Sequence, residues 1–249
     1  MNINLLREFA LTEFKLKYHG SILGYFWSLL NPLLIFGTLY IIFSIFVRFQ
    51  QPYYHLYLLL GVIIWGYFAE STTNAMTSIY YKSSIIKKIY FPRYIIVLAS
   101  NIATFIGFIL NILVFFIFLF ISGIKLSLSA PLFILILPLI FLVSYGTSLL
   151  LSSIYLKFLD ILHIWRVLLQ IGFWLTPIIY PISIVPERYL PLLFINPIAA
   201  IIDASRSALI YSTSISALTI IISLTSAIII FVIGLAVFKK LEAYFAEWV

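Results

Sequence analysis

The sequence predicts an all-α integral membrane protein with six transmembrane helices in one domain, residues 1–249. Of its residues, 64% are hydrophobic and 9% are charged, whereas about 25% are charged in an ordinary soluble protein. Mean hydropathy is +1.17, and the apolar residues form long runs rather than the alternation of a β-barrel. Because one span takes about 20 apolar residues, the length leaves no room for a separate catalytic domain.

The N-terminal segment is predicted to be an interfacial helix over residues 2–18. Its charges are spread through the segment, which is unlike a secretory signal. Leu5, Phe9 and Leu16 share one helical stripe, and Glu13 precedes Lys17 by four residues, a favourable helical pair. We expect this helix to lie on the membrane surface. A solvated lead-in to the first span is the alternative.

Long apolar runs place the six spans at about residues 28–47, 56–79, 95–122, 131–156, 161–180 and 215–238. The stretch before the last span holds half of the prolines, namely Pro177, Pro181, Pro186, Pro191 and Pro197. Proline interrupts helices, so residues 181–212 are expected to form a broken external or re-entrant segment. Its free backbone groups must then be buried in protein or wet.

The distribution of positive charge predicts the orientation. Eleven Lys and Arg residues fall on one side of the predicted spans, and four fall on the other: Arg48, Lys125, Arg188 and Arg206. Positively charged loops stay in the cytoplasm. We therefore expect both termini to be cytoplasmic. The net charge of +7 also favours contact with anionic lipid, and nucleic-acid binding is not expected.

The residue types needed for catalysis are missing or scattered. The chain has no cysteine and three histidines far apart in sequence, so no metal site is expected. No phosphate-binding loop, metalloprotease motif, serine-nucleophile motif or carboxylate pair is present. We therefore expect that the chain is not an enzyme and that it has no catalytic residue and no cofactor of its own.

One acidic residue, Glu70, lies well inside a predicted span. A carboxylate at this depth is costly and usually has a role or a partner. On a helix it shares a stripe with Thr73, Asn74, Thr77 and Tyr81. This stripe is either a water-facing or gating surface, or polar packing between helices.

Two sets of side chains are candidates for lining a substrate channel. In the fifth span, Arg166, Gln170 and Trp174 follow one another at intervals of four residues. In the first span, Phe36, Tyr40 and Phe43 lie on one face of the predicted helix. Hydrogen-bonding groups beside flat rings suit a sugar. The alternatives are an interfacial anchor and lipid-facing packing.

The loop after the second span is short and basic. Residues 80–93 contain Lys82, Lys87, Lys88 and Arg93 and no acidic residue. Such a loop can rest on anionic lipid. It can also insert as a short helix into a groove on a cytosolic partner.

The segment Leu23-Gly24-Tyr25-Phe26-Trp27-Ser28-Leu29-Leu30-Asn31-Pro32-Leu33-Leu34 resembles the first-span signature of ABC-2 type permeases that export polysaccharides. Further similar stretches follow in the same order: Phe91-Pro92-Arg93, Thr176-Pro177-Ile178-Ile179-Tyr180, and Asn196-Pro197 with Arg206 nine residues on. The resemblance covers essentially the whole chain. It points to the O-antigen export branch, with teichoic-acid and capsule exporters as related branches.

This resemblance implies a homodimer that pairs with two copies of a separate ATP-hydrolysing subunit, which carries ATP and Mg. The substrate would be a lipid-pyrophosphate-linked polysaccharide that moves outward across the bacterial inner membrane. By the same resemblance, the ATPase contacts residues 2–18 and 82–92, which carry Arg7, Lys15, Lys17, Lys82, Lys87 and Lys88.

Two alternative functions are a drug or small-lipid ABC-2 permease and a membrane enzyme acting on lipid-linked substrates. The enzyme would need a carboxylate or histidine cluster near one interface, and the sequence shows none.

Overall fold

The structure is a computed structural model that describes residues 3–17, 20–49, 51–86, 88, 91–124, 129–211, 213 and 216–248. The described chain is helical. Its α-helices are α1 (Ile3–Lys17), α2 (Trp27–Tyr40), α3 (Tyr54–Tyr81), α4 (Ser83–Ile86), α5 (Tyr94–Ile121), α6 (Leu132–Tyr155), α7 (Ile161–Leu175), α8 (Leu190–Leu193), α9 (Pro197–Leu209), α10 (Ala217–Leu241) and α11 (Phe245–Trp248). A π-helical turn, Ile41–Phe46, continues α2.

Within the described residues, five helices are long and apolar enough to cross a membrane. They are α2 with its π-helical turn, α3, α5, α6 and α10, and a bent pair before α10 raises the number to six if it counts as one span. The predicted all-helical, multi-pass membrane architecture is therefore confirmed. Four of these helices begin and end within about two residues of the bounds predicted for their spans. The fifth, α10, ends three residues beyond the predicted end at residue 238.

The helix at the centre of the bundle is α3. Its most apolar stretch is 78% buried, against 6% for the first span and 17% for the last. It packs against α2, α5, α6, α7 and α9. Neighbours on all sides explain why α3 is apolar around most of its circumference. The outer helices α2 and α10 leave broad apolar faces for lipid or for another chain.

Small residues allow the closest helix packing, which is between α6 and α10. A Cβ atom added to Gly234 would lie 2.1 Å from the carbonyl oxygen of Gly146, so only glycine fits there. A separate buried cluster joins α3, α5 and α6. In it, Ser71 and Ser148 both donate hydrogen bonds to Asn101 Oδ1, at 2.6 Å and 3.4 Å.

The predicted fifth span is shorter than expected. Instead of residues 161–180, the helix α7 ends at Leu175. Thr176 has extended backbone angles, φ −82° and ψ 139°, because a residue before proline disfavours the helical region. Fifteen residues rise only about 22 Å, so α7 alone falls short of a full span.

The proline-rich stretch after α7 is broken, as the sequence predicts. Helical segments Glu187–Leu193 and Pro197–Leu209 meet at an angle of 108°. Asn196 caps the second, accepting a hydrogen bond from the Ile198 N–H at 3.0 Å. Its amide also donates to Thr176 Oγ1 at 2.8 Å, which ties the start of α9 to the end of α7.

Arg206 satisfies the backbone carbonyls freed by this break. Its Nη1 donates to the Pro177 carbonyl at 2.6 Å, and its Nη2 donates to the Ile178 carbonyl at 3.0 Å. Arg206, counted from the sequence among the outer charges, lies on α9 and is only 2% exposed, so its charge is buried and serves the backbone rather than a loop surface. Of the other residues counted on that side, Lys125 lies outside the described residues, and the orientation stays a prediction.

Candidate functional site

The helix α7 presents two different faces. Toward the bundle, Trp165 donates from Nε1 to Thr72 Oγ1 at 3.0 Å, and Phe173 contacts the Trp65 ring with centroids 6.4 Å apart. On the opposite side, Arg166, Gln170 and Trp174 are all exposed. The structure thus brings this predicted set together on one open face.

The exposed face of α7 mixes apolar and polar groups. Ile164, Val167 and Ile171 are about half exposed on it, beside the three predicted channel residues. An arginine and a glutamine facing hydrocarbon would be costly. A neighbouring chain or a water-filled lumen would remove that cost. Trp174, with 55% of its surface exposed, offers a flat ring that can stack on a sugar.

The predicted aromatic residues of α2 lie in a different environment. Phe36 is 8% exposed and packs between Tyr40 and Phe118, at centroid distances of 5.7 Å and 6.0 Å. Tyr40 also stacks on Tyr54 at 6.3 Å. Phe36 therefore serves packing within the chain and leaves little surface for a ligand.

Phe43 belongs to the π-helical turn after α2. Its ring is parallel to that of Phe49, with centroids 5.8 Å apart, and it is only partly buried. Between described residues, no ring contact or hydrogen bond joins the α2 aromatics to the exposed face of α7. The two predicted channel sets are thus separate within one chain.

The Glu70 stripe lines two cavities. One, of about 340 Å³, is bordered by Glu70, and the other, of about 380 Å³, is bordered by Asn74 and Thr77. Asn74 donates to Glu70 Oε1 at 3.4 Å, so the stripe is continuous along α3. The cavities fit a water-facing surface and the ion pair of Glu70 with Lys17 on α1 fits polar packing between helices, so both interpretations of the stripe stay predictions.

Two ion pairs join α1 to α3. Lys17 pairs with Glu70, and Lys82 pairs with Glu13. Burial lowers the pKa of Lys82 to about 8, since desolvation disfavours the charged amine. Lys17 and Lys82 thus face their carboxylate partners, whereas Arg7 and Lys15 are exposed on α1.

The loop after α3 contacts the same helix α1. Phe9 of α1 packs on Phe91, with ring centroids 5.7 Å apart, and Lys82 lies 5.9 Å from the Phe9 ring centroid. Lys88 is exposed, and Lys87 lies outside the described residues. The two segments predicted to contact an ATPase therefore form one surface.

The C-terminal segment joins this surface, which sequence reasoning missed. Glu242 Oε1 accepts a hydrogen bond from the Arg93 N–H at 3.1 Å, and the Arg93 guanidinium donates to the Glu242 carbonyl. Phe245 is fully buried beside them. A lone Glu after an apolar helix carries no sequence signal for such a contact, because the partners are 149 residues apart.

Comparison with known proteins gives a consistent set of relatives. Residues 5–210 match the ABC-2 type transporter family. Two relatives from Klebsiella pneumoniae, each described as the O-antigen export system permease protein RfbA, are 34% and 35% identical to this chain. Each alignment covers 94% of this chain and 91% of the relative. A protein of the same description from Myxococcus xanthus is 23% identical over 82% of this chain and 79% of its own.

The match extends over the helices α1 to α9 and thus includes the exposed face of α7, the Glu70 stripe and the surface formed by α1 with the loop after α3. The helical, multi-pass architecture and the motifs quoted from the sequence agree with it. The chain is a permease subunit, not an enzyme, and belongs to the ABC-2 type transporter family.

Proposed function

We propose that the chain is the membrane subunit of an ATP-driven exporter of lipid-pyrophosphate-linked polysaccharide. The observation that carries this proposal is the 34–35% identity, over nearly the full length, to permeases described as O-antigen export proteins. The substrate moves outward across the bacterial inner membrane. Both termini lie in the cytoplasm, in keeping with the positive charge on that side.

A second copy of the chain completes the channel. Arg166 and Gln170 are exposed on the polar face of α7. Within one chain, only 6% of the most apolar stretch of the first span is buried. Pairing two copies along α2 and α7 encloses these faces around a polar path. Hydrogen-bonding groups and the Trp174 ring then offer many weak contacts, each on the order of 1 kcal/mol by analogy with aromatic pairs, so a long glycan can slide.

The surface formed by α1 and the loop after α3 receives the ATPase subunit, one copy for each permease chain. It carries the exposed Arg7, Lys15 and Lys88, which suit an acidic partner surface. The contacts Phe9 with Phe91 and Lys82 with Glu13 hold the two segments together, so motion of the ATPase reaches α3 through them. ATP and Mg bind to that partner subunit, and α1 lies at the membrane interface.

Complementation and reconstitution test this function. Deleting the gene should trap lipid-linked glycan on the cytoplasmic side, and the wild-type gene should restore export. The purified chain alone should not hydrolyse ATP, since its sequence has no phosphate-binding loop. Normal glycan export in the deletion strain, or drug efflux as the only lost activity, would contradict the proposal.

Charge reversal tests the ATPase surface. Replacing Lys87 and Lys88 with Glu should weaken assembly with the ATPase by about 1 kcal/mol per charge, while membrane insertion stays normal. The matched control replaces Lys239 and Lys240, exposed at the end of α10, with Glu. Equal complex yield and coupled ATP hydrolysis in all three proteins would show that the loop contacts only lipid.

A further inference from the structure

Two cavities of the described chain lie next to each other along α3 and α5. They have volumes of about 340 Å³ and about 380 Å³ and share Lys17 and Thr104 in their linings. One is bordered by α2, α3 and α5, and the other by α1, α3 and α5. Along α3 the lining runs from Val62 to Lys82, a rise of about 30 Å at 1.5 Å per residue. We call the two cavities together the α3–α5 groove; its length is comparable to the hydrocarbon thickness of about 30 Å.

Polar stripes border the groove on both helices. On α3 these are Glu70, Asn74 and Thr77, and on α5 they are Ser100, Thr104 and Asn111. The α5 stripe does not hold α5 to α3. Thr104 bonds to its own helix backbone, and Asn111 bonds to its own helix and to the Ser28 carbonyl. The polar contact between α3 and α5 is made instead by Ser71 and Asn101.

The charges of the groove favour an uncharged polar ligand. Each of its two lysines pairs with a carboxylate, Lys17 with Glu70 and Lys82 with Glu13. An anion would have to displace a carboxylate from a lysine. A hydroxyl group, in contrast, can both donate to a carboxylate and accept from an amide or an amine, without breaking either pair.

An exposed aromatic ring borders each of the two cavities. Trp27 borders the first cavity and is 45% exposed, and Tyr81 borders the second and is 73% exposed. Rings beside carboxylate and amide groups can stack on the face of a sugar while its hydroxyls are bonded. Each cavity also lies within the size range of small-ligand pockets, roughly 300–1,000 Å³.

We propose that the α3–α5 groove is a glycan-binding subsite within each subunit, distinct from the path between two copies. It binds sugar residues through Glu70, Asn74 and the hydroxyl groups that line it, with the rings of Trp27 and Tyr81 beside them. This inference rests on the proposed export function. Since Glu70 and Lys82 hold α1 through their ion pairs with Lys17 and Glu13, a glycan in the groove lies against the helix assigned to the ATPase surface.

Photo-cross-linking tests the groove directly. Four single variants each carry a benzophenone-bearing amino acid. Two replace residues that line the cavities, Asn74 and Asn31. The third replaces Trp174, and the control replaces Ile229, which is 56% exposed on α10. Membrane vesicles contain the assembled transporter and its radiolabelled lipid-linked glycan. We expect glycan adducts at residues 74 and 31 and none at residue 229. Adducts at residue 174 alone would overturn the groove while supporting export, and wild-type vesicles that move no glycan would overturn both.

Competition identifies the chemistry. Free oligosaccharide released from the glycan should suppress the adduct at residue 74, and inorganic pyrophosphate should leave it unchanged. Suppression by pyrophosphate alone would overturn the assignment to sugar.

A matched pair of variants completes the test, since Thr77→Val and Thr225→Val each replace a helix hydroxyl by a methyl group. Thr225 is exposed on α10.

Thr77→Val should lower export about fivefold, the equivalent of one net hydrogen bond of about 1 kcal/mol, and Thr225→Val should not. The thermal stability of both should match that of the wild type, which separates binding from folding. Equal export by the two variants would overturn a role for Thr77 in binding glycan.

Discussion

The guanidinium of Arg206 both bonds to the backbone of Tyr57 and covers its ring. Nε and Nη2 donate to the Tyr57 carbonyl at 3.2 Å and 2.9 Å, and Cζ lies 3.3 Å from the ring centroid. The hydroxyl of Tyr57 in turn donates to the Tyr180 carbonyl at 2.9 Å. Two side chains thus hold the broken segment after α7 against the central helix.

Arg206→Lys should destabilise the protein strongly. A lysine ammonium cannot reproduce the planar fork that serves three carbonyls, and each carbonyl left unpaired in a buried site costs about 1–3 kcal/mol. Thermal unfolding in detergent measures the loss. The control is Arg188→Lys, an exposed arginine on the same broken segment, which should change little. Equal melting temperatures for the two variants would show that Arg206 does not hold the break.

Glu242→Ala should loosen the ATPase surface. The carboxylate accepts from the N–H of Arg93 at the start of α5, and removing such a cap costs about 0.5–2 kcal/mol. We expect a lower melting temperature and weaker stimulation of the ATPase by the permease. Glu247→Ala, an exposed acid in α11, is the control. If both variants stimulate the ATPase as well as the wild type does, the contact between Arg93 and Glu242 does not contribute to coupling.

Trp174→Ala and Tyr40→Ala should impair glycan export while expression and assembly persist. Trp174 is the cleaner test because it is exposed, and the equally exposed neighbour Leu175→Ala controls for lost apolar surface. Tyr40 stacks on Phe36 and Tyr54, so its loss also costs about 0.5–1.5 kcal/mol per ring pair. Tyr40→Phe retains these stacks and removes only the hydroxyl. Normal export by Trp174→Ala would exclude the α7 face from the path.

Raising the pH from 7 to 9 should weaken coupling through Lys82. Its pKa of about 8 in the folded chain lies below the ordinary 10.5, so the amine loses its proton in this window and the pair with Glu13 is lost. Between pH 8 and 10.5 the unfolded chain binds the Lys82 proton more tightly than the folded chain does. The contribution of Lys82 to the free energy of unfolding therefore rises with pH in this range. ATPase stimulation should therefore fall without a fall in melting temperature. Lys82→Arg stays charged and should keep its coupling at pH 9.

The sequence predicted the long helices well because each needs only a long apolar run, and α3, α5 and α6 are such runs. The Glu70 stripe was also predictable, since Glu70, Asn74 and Thr77 follow the helical period and the structure places all three along cavities. Helix ends that depend on one proline were harder. Pro177 ends α7 at Leu175, where an apolar continuation to Tyr180 suggested more helix.

Long-range partners were beyond the reach of the sequence pattern. The sequence did not reveal that Arg206 is buried, because its carbonyl acceptors lie 28 to 149 residues away. Phe36 looked like a channel residue because a helical face does not reveal what covers it, and Phe118 covers it. The Arg93–Glu242 contact joins two segments whose apposition only the folded bundle creates.

Movement of glycan in inside-out membrane vesicles is the most direct measurement of the central claim. The vesicles contain this chain, its ATPase partner and a labelled lipid-linked polysaccharide, and a glycan-specific lectin or hydrolase detects what remains exposed outside. We expect ATP to carry the label into the vesicle interior, and we expect no movement without ATP, without the partner or without this chain. Label that stays outside with all components present, while the same vesicles transport a drug or a small lipid with ATP, would contradict polysaccharide export.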